Sequence, residues 1–305
     1  MRNTFAKTLE ELASRDPRIM LVTGDLGFSV FESFRKRCPR QYLNAGVAEQ
    51  HLVGLAAGLA MSGKIPFVYS IIPFATMRCF EQIRDDVCLQ NVNVKIVGVG
   101  SGYSYGLLGP THEPLEDIAL MRSLPHMRVV CPGDPTESEA ATVMLSRLKG
   151  PMYLRLGKNG EPLFHKKPLP MKPGASYVLR NGNDAALLSC GNILEEVMGA
   201  ADILKKRGVA ARVVSMPWVK PLDMKTVHKA VREAKAVFAV EEHGVYGGFG
   251  SAVAEVIAEL PKKRAQFLRI AAPDDFFPFA GSQKYLRKRA GLDAASIAKR
   301  VLNTL

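Results

Sequence analysis

Short apolar runs alternate along this chain with helix-like stretches, and that alternation limits the possible folds more than any other feature. Ile19-Met20-Leu21-Val22-Thr23 is continuously apolar up to Thr23 and stops at Gly24-Asp25, as a buried strand entering a loop does. Similar runs recur at Pro66–Tyr69, Val94–Val99 and Met127–Cys131. Between them lie stretches with helical character at Gln50–Met61, Arg78–Gln90, Pro114–Ser123 and Ser138–Leu148. A strand that is apolar throughout is buried on both faces, so the pattern predicts a parallel sheet covered on each side by helices.

Residues 161–176 hold four prolines and three lysines without apolar periodicity, which marks a linker. A second alternation follows, with strands expected at Ala185–Cys190, Ala211–Val214, Val237–Val240 and Gln266–Ile270, a helix to about Lys206 and a terminal helix near Ala294–Leu302. The fold class read from this is α/β, with two doubly wound parallel-sheet domains at residues 1–160 and 177–305. A length of 305 residues allows each its own core.

Composition removes several function classes. A hydrophobic fraction of 47% with 23% charged residues is that of a globular protein and too apolar for a disordered one. No run approaches the roughly 18 apolar residues of a membrane span, and Arg2 and Lys7 interrupt the N-terminus before a signal-peptide core could form. A cytoplasmic protein without membrane attachment is expected. The five cysteines are widely spaced, with no CxxC, so neither a disulfide framework nor a zinc site is indicated. The net charge of +12 falls mostly after residue 160, but no nucleic-acid recognition motif accompanies it. Anionic metabolites or an acidic partner subunit suit that charge better than nucleic acid.

Two segments carry potential chemistry. In Asn44-Ala45-Gly46-Val47-Ala48-Glu49-Gln50-His51, a carboxylate stands among small residues just before the apolar stretch Leu52–Met61. Burying Glu49 there is costly unless something hydrogen-bonds it, and the alternative is a helix-start glutamate facing the helix dipole. In Gly109-Pro110-Thr111-His112-Glu113-Pro114, a rigid turn holds an imidazole where open α/β sheets bind ligands. Thr111 could equally be a helix cap.

These residues resemble a known family. GVAEQH at 46–51, GPTHEPLEDIALMRSLPHMRVVCPGD at 109–134 and YLRLGK at 153–158 are similar to the pyrimidine-binding domain of transketolases and 1-deoxyxylulose-5-phosphate synthases. EEHGVYGGFGSAVAE at 241–255 and GLDAASI at 291–297 resemble their C-terminal domain. The resemblance implies thiamin diphosphate. A glutamate matching Glu49 hydrogen-bonds the aminopyrimidine, favouring the imino tautomer whose nitrogen deprotonates the thiazolium carbon, so Glu49 is expected to be catalytic and cofactor-binding. Phe74 is the candidate to stack on that ring, although its spacing to Arg78 differs by one from the synthase pattern. Arg78 and Arg155 match sugar-phosphate contacts, for which guanidinium geometry is suited. His112 is expected to be catalytic and substrate-binding, and Asp25–Ser29 to line the entrance. Without the resemblance, Arg78 reads as a surface residue paired with Glu81 or Asp85.

Three departures qualify it. The family holds the cofactor's diphosphate and metal through a GDG motif with a downstream Asn, and this sequence contains no GDG. A separate diphosphate-binding transketolase subunit, expected to hold Mg²⁺ or Ca²⁺, is therefore implied, with two copies of each chain. Leu108 stands before the GPTH glycine, where the family commonly has an aspartate touching the donor hydroxyl. Ala48 replaces an arginine of the large transketolases. The expected activity is transfer of a two-carbon ketol unit between sugars or sugar phosphates. Alternatives are a 1-deoxyxylulose-5-phosphate synthase-like carboligase subunit, a 2-oxoacid dehydrogenase β-type subunit, or a regulatory binding protein of the same fold.

Overall fold

The apolar runs become strands in a computed structural model, which describes residues 1–158, 160–261 and 265–305. In chain order they are β1 (Ile19–Thr23), β2 (Tyr42–Asn44), β3 (Ile65–Ile71), β4 (Lys95–Val99), β5 (Arg128–Val130) and β6 (Met152–Leu156). After the proline-rich segment come β7 (Tyr177–Arg180), β8 (Ala185–Cys190), β9 (Ala211–Ser215), β10 (Trp218–Lys220), β11 (Ala236–Gly244) and β12 (Gln266–Ala272). They form a seven-stranded sheet in the order β10-β5-β6-β4-β3-β1-β2 and a five-stranded sheet in the order β12-β11-β8-β9-β7. Neighbours run parallel except β10 against β5 and β7 against β9. β1, β4, β6 and β8 are buried along their whole length, as continuous apolar strands between helical layers must be.

Four strands lie outside the expected pattern: β2, β6, and the two short antiparallel edges β7 and β10. β10 follows the linker, yet it returns to the first sheet, where Trp218 joins the buried cluster of Phe5, Phe67 and Leu154. The helix expected over Arg78–Gln90 is Phe80–Gln82 continued by a π-helix, Ile83–Leu89, with Ile83, Val87 and Cys88 buried. The helix expected from Pro114 begins only at Asp117, because Arg155 takes the Pro114 carbonyl and the Asp117 carboxylate into a buried contact. The N-terminal helix Arg2–Ala13 places Phe5, Leu9 and Ala13 on one buried face.

The linker is fastened to the first sheet's periphery. Asp134 caps the helix Pro135–Arg147 by accepting from the Glu137 amide at 2.8 Å, and its other oxygen accepts from the amides of Phe164 and His165. The His165 imidazole meets Glu137 at 2.9 Å. Among the described residues, no helix is long and apolar enough to cross a membrane.

Candidate active site

Apart from Arg155, which lies within β6, the sequence-derived candidates follow the C-terminal ends of parallel strands, where such sheets bind ligands. Beyond β2 the chain turns through Gly46 at φ +74°, a conformation unfavourable for a side-chain-bearing residue. Asn44 fixes this turn to the loop after β1: its Oδ1 accepts from the amides of Gly46 at 3.0 Å and Asp25 at 2.9 Å. The segment then enters the helix Glu49–Met61, so Glu49 does occupy a helix start. It is also only 2% exposed. Its Oε2 accepts from Arg78 Nη1 at 2.7 Å, and the Ser70 hydroxyl stands 3.5 Å from Oε1.

Arg78 therefore pairs with Glu49 rather than with Glu81 or Asp85 as the residue types alone suggested. Its side chain remains 47% exposed, so the pair spans the boundary between core and solvent. The guanidinium also lies over the Phe74 ring, its carbon 4.5 Å from the ring centre. Phe74 belongs to the short helix Ile72–Thr76 that directly follows β3. His112 approaches the same ring edge-on, with centroids 5.1 Å apart and planes at 78°. Four candidates from three loops thus meet in one cluster: Glu49, Phe74, Arg78 and His112.

The His112 loop is shaped by Gly109, at φ +79°, and braced by the second half of the chain. Thr111 is not a helix cap; its hydroxyl lies 3.0 Å from His112 Nδ1, a contact that with the hydroxyl as donor leaves the proton on Nε2. Burial holds the His112 imidazole below its ordinary pKa, favouring the neutral ring. Upstream, Tyr103 donates its amide to Glu242 at 2.9 Å and Gly281 donates to the Gly106 carbonyl at 3.0 Å. Glu242 is itself held by Arg287 at 2.6 Å. Glu113, next to His112, is pushed up to about 7 by burial and by the neighbouring Glu242 charge.

Arg155 is a correction. The expected phosphate contact is 2% exposed, and its guanidinium clasps both oxygens of Asp117 at 2.8 and 3.1 Å. The same guanidinium donates to the carbonyls of Pro114 and Glu242, each at 3.1 Å. Burial disfavours its charge, but Asp117 outweighs that, and the net displacement is upward. Arg155 thus ties the first sheet to β11, leaving no accessible fork for a phosphate. Residue patterns alone missed Asp117 and Asn44; an aspartate three residues after Pro114 and an asparagine before Ala-Gly were the available signals. Asp25–Ser29 borders the Asn44 turn, with Phe28 72% exposed.

The chain's own donors fit one half of a thiamin diphosphate site. A dry carboxylate beside an aromatic face suits a hydrogen-bonding, stacking pyrimidine. Among the described residues, the group close enough to share a metal ion is Asp134, Glu137 and His165. Both oxygens of each carboxylate there, and His165 Nε2, already have partners within the chain, so this trio fits a linker clasp rather than a diphosphate-bearing metal.

Comparison with known proteins finds relatives that span both halves of the chain. Residues 1–161 match the family model of the transketolase pyrimidine-binding domain, and residues 174–297 that of the transketolase C-terminal domain. An apulose-4-phosphate transketolase subunit of Actinobacillus succinogenes is 38% identical over 88% of this chain and 86% of its own. A putative transketolase C-terminal section of Methanocaldococcus jannaschii is 36% identical over 100% and 96% of the two chains. A solved split-gene transketolase, an inactive beta4 tetramer, superposes with a TM-score of 0.90 at 36% identity, covering 100% of this chain and 97% of that one. With both halves accounted for in one lineage and in the same order, this chain belongs to the transketolase family.

Proposed function

We propose that this chain is the pyrimidine-side subunit of a split, thiamin diphosphate-dependent transketolase, transferring a two-carbon ketol unit between sugar phosphates. The observation that carries the reading is the buried Glu49 carboxylate beside the Phe74 ring, with His112 at that ring's edge. A separate N-terminal subunit supplies the diphosphate and magnesium site, in an assembly of two copies of each chain. The related split-gene chain solved as an inactive tetramer supports that dependence. Five buried, unpaired cysteines fit a reducing, cytoplasmic setting.

Thiamin diphosphate, which Glu49 and Phe74 would hold on its pyrimidine side, would supply a nucleophilic carbon for ketose carbonyl chemistry. Glu49 would hydrogen-bond the aminopyrimidine ring nitrogen, in a buried environment where one such bond is strong enough to alter the ring's basicity. Phe74 offers an apolar face that fixes the ring plane. His112, neutral and oriented through Thr111, donates to or accepts from the oxygen at the reacting carbon. Arg78 reaches the sugar phosphate from its half-exposed position.

Glu49→Gln keeps the shape and removes the charge. In the assembled complex it should leave association intact and slow hydrogen–deuterium exchange at the thiazolium carbon by at least about a hundredfold. Undiminished exchange, followed by quenched-flow NMR, would remove Glu49 from this role.

A further inference from the structure

The Arg78 guanidinium holds two places at once: the Glu49 carboxylate, at 2.7 Å, and a face of Phe74, at 4.5 Å. Under the function proposed above, on which this inference rests, those are the two contacts the aminopyrimidine requires. Both groups are planar, meet the carboxyl group through a nitrogen–oxygen hydrogen bond and stack on an aromatic ring; the guanidinium donates its N–H to the carboxylate, whereas the ring nitrogen shares the carboxyl's proton. We infer that Arg78 is an internal stand-in for the cofactor ring, occupying its site in the cofactor-free chain and leaving when the ring enters.

Three features support displacement over a permanent pair. Glu49 is buried, and a buried carboxylate without a close partner is strongly unfavourable, so a cofactor-free chain needs a substitute countercharge. The Ser70 hydroxyl, at 3.5 Å, is too distant to fill that role. The Arg78 side chain is 47% exposed and can swing into solvent without opening the core, which the enclosed Arg155 cannot do. Once displaced, the guanidinium remains at the mouth of the site as a free cation with an affinity for phosphate. Cofactor entry thus converts Arg78 from a site filler into a substrate-positioning residue, and the chain binds cofactor before sugar phosphate.

An occupant that must leave lowers the apparent affinity of whatever replaces it. Arg78→Ala should therefore tighten thiamin diphosphate binding to the reconstituted complex, measured by calorimetry with magnesium, by about tenfold. The same variant should raise KM for a phosphorylated ketose while affecting an unphosphorylated donor such as hydroxypyruvate far less. Arg78→Lys, charged but unable to stack as a plane, should bind cofactor with intermediate affinity. In the isolated chain, ¹⁵N NMR should show an immobilised Arg78 side chain that Glu49→Gln releases.

The outcomes separate the two claims. If the wild-type complex binds no thiamin diphosphate, the functional reading fails and the stand-in with it. If it binds, but Arg78→Ala leaves the affinity unchanged or weaker, Arg78 stays beside Glu49 throughout, and the stand-in alone is overturned. An Arg78 side chain that is mobile in the isolated chain overturns it as well.

Discussion

Leu108 sets the chemical character of the loop leading to His112. It and Leu107 are 55% and 73% exposed, so neither is packed as a core leucine. An apolar side chain offers no acceptor to a donor hydroxyl, and a site without one discriminates weakly on that group. The assembled enzyme is expected to be inefficient with the ordinary pentose and hexose phosphate donors. Leu108→Asp should raise kcat/KM for xylulose 5-phosphate, at a stability cost within about 0.5 kcal/mol because the position is exposed. Steady-state kinetics of both forms decides it; a wild type already fully efficient with that donor refutes the idea. At this scale the sequence was readable where a residue contrasted with its surroundings. Glu49 stood out as an acid ahead of an apolar helix, and His112 as an imidazole locked by Gly-Pro. Arg155 was misread because its partner Asp117 stands 38 residues earlier, and only the fold brings them together.

The loop from Gly100 to Glu116 transmits the sheet's geometry to the site, and two of its fastenings can be tested. Asp117 receives Arg155 and also the Tyr153 hydroxyl at 2.6 Å, all of it buried. Asp117→Ala strands the guanidinium without its countercharge and should destabilise the chain by about 3 kcal/mol, seen as a lower urea midpoint with an unchanged slope. The carboxyl of Glu113 titrates near pH 7 when folded, against an ordinary value of 4.5. The folded state therefore binds this proton more tightly than the unfolded state does, so its stabilising contribution is complete below about pH 4.5 and is lost as pH rises through about 7. Glu113→Gln should flatten the fall in stability over that window, as urea titrations of both forms at a series of pH values will show; parallel profiles would place the titration elsewhere. Most central strands were legible as elements because burial on both faces demands unbroken apolar runs, but β6 was not, because Arg155 interrupts its run. β2, β7 and β10 were not either, since three- or four-residue edge strands carry no periodicity of their own. The π-turn at Ile83–Leu89 was likewise hidden, because one added residue per turn barely changes an apolar pattern.

Across the whole molecule, the second half acts chiefly as a brace. Glu242, Asn192 and Gly281 hold the segment Gly102–Leu108, and Arg155 reaches the Glu242 carbonyl from the other side. The residues expected to do chemistry all come from the first half, while the positioning of His112 depends on the second. The linker strengthens this dependence through its clasp on Asp134 and Glu137. Division into halves was visible as a proline-rich interruption, but the sequence had no means of showing that the chain crosses that boundary again at Trp218. That crossing means the halves are not modular. A polypeptide severed within the linker would leave its first piece with β5 as a raw edge and a gap where an indole belongs. Its second piece would carry Trp218, 1% exposed in the intact chain, out into water. Each fragment would be incomplete on the same surface, so the two could regain a native sheet only by finding one another.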